Sequence, residues 1–149
     1  MTDGRVGGTA RLLGFAGLLP SLGSVALIAV GWPQAIAIAA FYPLLILSFL
    51  GGIWWGFAMR DTPNQTALVL LAVVPSLIAL MLGLGLFVAA QPGWSLVAIG
   101  VALMLTLPVD RRLASQGIAP AGWMALRVPL SLGLGTLTIL AGVLISRYP

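Results

Sequence analysis

Ten ionisable side chains carry nearly all the acid–base and ionic chemistry open to this 149-residue chain: seven arginines and three aspartates, with no histidine or cysteine. The densest group is Asp110-Arg111-Arg112, followed by Arg127. Guanidinium groups donate paired hydrogen bonds to phosphate, so Asp110, Arg111, Arg112 and Arg127 form a candidate site for an anionic headgroup. Arg127 can also pair with Asp110 at the membrane surface. The plainer use of these arginines is to anchor helix ends and set sidedness. The missing residue types exclude disulfides, imidazole or thiolate metal ligands, His- or Cys-held haem, and nucleophilic or acid–base catalysis by either residue. No metal site, catalytic residue or obligate cofactor is expected; a bound lipid or quinone is the ligand class left open.

The elements that position these residues follow from composition. Sixty per cent of the chain is hydrophobic and 7% charged, with a mean hydropathy of +1.14. A soluble surface needs about a quarter charged residues, so this is an integral membrane protein. Uncharged runs cover 12–31, 34–59, 65–90 and 93–109, and a fifth ends at Ser146. About 20 helical residues cross the hydrocarbon core, and without period-2 alternation only helices can span it. The fifth helix is placed over 123–146, with Arg127 in its first turns. The fourth run stops at Asp110, which leaves roughly 24 Å and requires a thinned bilayer or help from the turn at Pro92. The expected fold is therefore one all-α domain, an integral membrane bundle of five transmembrane helices. Arg5, Arg11, Arg60, Arg111, Arg112 and Arg127 fall on one side and Arg147 on the other. That bias predicts an N-in, C-out topology in a bacterial inner membrane. So few charges give no electrostatic basis for nucleic-acid binding.

Inside the spans, small residues and prolines are the main signals. Ser48-Phe49-Leu50-Gly51-Gly52-Ile53-Trp54-Trp55-Gly56 places Ser48, Gly52 and Gly56 at i, i+4 and i+8, a stripe about 12 Å long on one helix face. Glycine costs roughly 1 kcal/mol against alanine in a helix interior, so close approach by another group is expected there. Ser48, Gly51, Gly52, Trp55 and Gly56 are the candidate helix-packing or ligand groove. Helical geometry turns Trp54 away from that stripe, toward lipid or another helix. Gly17/Ser21 and Ser131/Gly135 are candidate opposing surfaces. Pro20 and Pro75 lie deep in their runs and are expected to kink them. Their Pro-Ser-Leu contexts echo one another, and chance among apolar residues suffices to explain that. No carboxylate lies inside an uncharged run, so the usual mark of ion-coupled transport is missing.

Taken in order, Leu13-Gly14-Phe15-Ala16-Gly17-Leu18-Leu19-Pro20, the glycine–tryptophan block, Val74-Pro75-Ser76-Leu77 and the region from Asp110 to Arg127 resemble the small five-helix membrane proteins grouped with transmembrane protein 69. That family has no agreed activity, so the resemblance implies fold and membrane location alone. Trp54 departs from the family pattern, where a polar or basic residue is common. The leading functional expectation is a non-enzymatic accessory, packing or lipid-binding subunit, in contact with membrane lipid and with other membrane subunits or further copies of itself. The alternatives are a small transporter or channel for a neutral or anionic solute, and a carrier of an apolar cofactor such as a quinone, pigment or sterol.

Overall fold

The structure, a computed structural model, describes residues 6–60, 64–88 and 92–147. Arg5 and the end of the third uncharged run at 89–90 lie outside the described residues, as do residues 61–63, Gln91 and residues 148–149. Five spans long and apolar enough to cross a membrane form an all-α bundle. The first span is two helices, α1 (Gly8–Ala16) and α2 (Leu19–Ala29). Pro20 sits in the first turn of α2, where its missing N–H costs least. The break falls just before it, and the Tyr42 hydroxyl donates to the Gly17 carbonyl there. The second span is α3 (Ala35–Ala58) and the third α4 (Gln65–Val88). Pro75 lies within α4, which continues on both sides of it as one helix.

The fourth span is longer than its uncharged run. Helices α5 (Pro92–Leu105) and α6 (Leu107–Ser115), with the turn residue Thr106 between them, make a span of 24 residues. The helical span therefore runs past Asp110, where the uncharged run stops. A charge stops a hydropathy run but does not stop a helix when a partner neutralises it in the protein interior. Pro108 lacks the N–H that would reach the Met104 carbonyl, which accounts for the break at Thr106. The fifth span is α7 (Trp123–Arg147).

Helix α3 has the largest buried share of the five spans. Its inner face runs Leu47, Leu50, Gly51, Trp54 and Ala58, at the three- and four-residue steps of one helix face. Gly51 lets the Ala72 carbonyl of α4 approach its backbone, and the Ser48 and Ser76 hydroxyls meet at 3.0 Å. Among the described residues, then, α3 is not gripped through Gly52 and Gly56. A methyl at either would meet no atom within 4 Å, and Trp55 is exposed. The gripping surface is rotated by about one residue, or ~100°.

A second close backbone contact, with glycines on both helices, joins α5 to α7. A methyl on Gly100 would lie 2.6 Å from the Gly135 carbonyl oxygen, and one on Gly142 would lie 2.5 Å from the Gly93 carbonyl oxygen. Lipid tails are as apolar as leucine, so close backbone packing supplies the attraction between such helices. Gly135 does oppose a small residue, but its partner is Gly100 rather than the α3 stripe.

Candidate functional site

Asp110 is the organising residue of the end of the bundle that carries Arg60, Arg111 and Arg112. It stands in the first turn of α6, where the helix N-terminus favours a carboxylate, and its side chain is wholly buried. Arg127, one turn into α7, donates from Nε to Asp110 Oδ2 at 2.8 Å, and only 6% of its own side chain is accessible. Two indoles complete the carboxylate. Trp54 Nε1 donates to Oδ1 at 3.0 Å and Trp123 Nε1 donates to the same oxygen at 3.1 Å.

Thr106 links the helix break to this cluster. Its hydroxyl donates to the Leu103 carbonyl at 2.7 Å and accepts from Arg127 Nη2 at 3.1 Å. The Arg127 guanidinium also lies 5.9 Å from the Trp123 ring centre, within cation–π range. Phe57 meets Trp123 edge-on at 5.5 Å. Apolar packing by Ala58, Leu68, Ala72 and Leu113 closes this end of the core. A buried ion pair survives only when its remaining hydrogen-bonding capacity is used, and two indoles and a threonine hydroxyl serve that need here.

Trp54 is thus a core residue, 2% exposed, rather than a lipid-facing one. The proposed grouping of arginines also divides. Arg127 turns inward to Asp110, whereas Arg111 and Arg112 are exposed on α6. Arg112 lines a separate cleft of about 490 Å³ between α4 and α6, together with Asn64 and Gln116. The four residues do not form one headgroup site.

Beside the cluster lies a cavity of about 440 Å³ between α1, α3 and α7. Its walls are mainly apolar, including Leu13, Ile46, Phe49 and Leu130, and it reaches Arg127, Ser131 and Tyr42. Leu13 and Phe49 are both more than 60% exposed and mark where the cavity meets the surroundings. Ser131 is 2% exposed, and its hydroxyl has no hydrogen-bond partner among the described residues. Helix α1, which forms one wall, has no buried residue of its own. It is tied by Tyr42 at one end, and by the Val6 N–H donating to the Ala121 carbonyl at 3.2 Å just before the other.

Fold and site together define a multi-pass membrane protein with a polar cluster sealed inside one end. Residues 6–143 match the family described as "Protein of unknown function (DUF3429)", and the chain belongs to that family. No curated protein and no solved structure matches it.

Proposed function

We propose that this protein is a non-enzymatic lipid-binding accessory subunit of the bacterial inner membrane, inserted with its N-terminus in the cytoplasm. The observation that carries the reading is the cavity between α1, α3 and α7, mainly apolar and polar at Arg127, Ser131 and Tyr42. Pockets of about 300–1,000 Å³ with a few convergent polar groups are the usual form of small-molecule sites. The loosely held α1 supports sideways entry from the bilayer. The arginine bias supports the orientation. The exposed Gly52–Trp55–Gly56 face is the surface offered to a partner subunit or a second copy. Kinship with the transmembrane protein 69 group belongs to the same proposal and rests on the motifs quoted above.

The test is native mass spectrometry of protein purified in mild detergent, with lipid extraction, beside an Ile46→Trp variant that fills the cavity. A stoichiometric lipid on the natural chain and its loss from the folded variant is the expected result. Solute-selective flux in proteoliposomes would replace this reading with a transporter.

A further inference from the structure

The cavity's polar end differs from the usual anion site in one respect: its charge is already balanced. Arg127 is the cation, and Asp110 neutralises it at 2.8 Å. A carboxylate or phosphate entering the cavity would lose its hydration and find no net countercharge, because the arginine would be shared with a closer anion. A neutral acceptor meets no such cost. Two residues of the cavity wall carry donors: Ser131, whose buried hydroxyl has no partner among the described residues, as is also true of Ser21 outside the cavity, and Arg127, whose Nε and Nη2 are engaged by Asp110 and Thr106 and whose Nη1 is left. These residues are four apart on α7 and so share one helix face. A buried hydroxyl left without a partner is costly, and in native proteins it calls for an explanation.

We infer that the cavity selects an uncharged lipid whose carbonyl oxygen accepts hydrogen bonds from Ser131 and Arg127, while its apolar chain runs past Ile46 and Leu130 toward Phe49. The inference rests on the lipid-binding reading and specifies the ligand's head. Such a carbonyl occurs in a quinone ring and in an acyl ester.

Three probes separate the outcomes: a decyl-substituted benzoquinone, methyl palmitate, and palmitate at about pH 9, where its carboxyl is ionised. Affinity is read on the purified full chain in one detergent. Methyl palmitate and palmitate share chain and carbonyl and differ in charge, so the ester binding about tenfold or more tighter is the expected result. A tighter quinone assigns the head to a quinone ring, and a tighter ester to an acyl lipid; both support the inference. Palmitate binding as tightly as the neutral probes overturns it but leaves lipid binding standing. Binding of none of the three overturns both. Ser131→Ala should weaken the better neutral probe about threefold to tenfold at unchanged or slightly raised thermal stability, because the hydroxyl has no partner among the described residues to lose. Unchanged affinity in that variant would remove Ser131 from the site and overturn the inference.

Discussion

Two sets of glycines in this bundle share a spacing logic and have opposite fates. Gly93 and Gly100 on α5 face Gly142 and Gly135 on α7, with backbones so close that no side chain fits between them. Gly52 and Gly56 on α3 are four residues apart with two tryptophans between them, and a methyl on either would meet no atom of the described residues within 4 Å. A small-residue repeat marks a face that another helix is able to approach. Whether one does depends on the rest of the helix circumference. On α3 the larger residues Leu47, Leu50 and Trp54 are buried on a neighbouring face, and Gly51, one position from Gly52, is carried inward with them. On α5, Gly93, Leu96, Ile99, Gly100 and Leu103 are all buried, so the glycines and the bulky apolar residues point the same way.

The contrast yields measurable differences. Gly100→Leu should produce the largest loss. A leucine there must displace the Gly135 backbone, a cost above the roughly 1–3 kcal/mol of ordinary overpacking, and little folded protein should be recovered. Near-normal recovery would show that α5 and α7 can separate without unfolding the chain. At the other end of the same pair of spans, Asp110→Asn leaves the Arg127 charge buried without a countercharge and should destabilise by about 3–5 kcal/mol. Unfolding measured in mixed micelles for Asp110→Asn, Arg127→Met and the double variant checks this. The double variant should be less destabilised than the sum of the two single changes, and strict additivity would refute the pairing.

The smallest and most direct test compares adjacent residues on α3. Gly51→Ala drives a methyl into the Ala72 carbonyl and should cost about 1–3 kcal/mol. Gly52→Ala should be neutral or stabilising by up to about 1 kcal/mol, since alanine is the better helix former. If Gly52→Ala proves as harmful as Gly51→Ala in thermal denaturation, that open face is covered by another chain in the folded state.

The span count was legible because the bilayer leaves the backbone few choices. A long uncharged run must satisfy its own N–H and C=O groups, and the helix does so. The candidate site was legible only in part. Asp110 and Arg127 could be seen as potential partners from their types, yet their depth could not, because counting uncharged residues halts at the first charge. Trp54 gave a direction relative to Gly52 and Trp55 but no absolute one. The signal that would have placed it is the stripe Leu47, Leu50, Trp54 and Ala58, whose spacing is as regular as that of the glycines.

Hydropathy and charge by themselves determined that this chain is a five-span all-α membrane protein, since the cost of unpaired backbone groups in lipid depends on composition and run length. Tertiary structure decided which face of each helix is buried, that Asp110, Trp54, Trp123, Thr106 and Arg127 meet at one point, and that a cavity ends beside them. These depend on helix rotation and register. In a bundle apolar on all sides, rotation and register are set by how neighbouring helices fit together, because hydrophobicity is nearly uniform around each one.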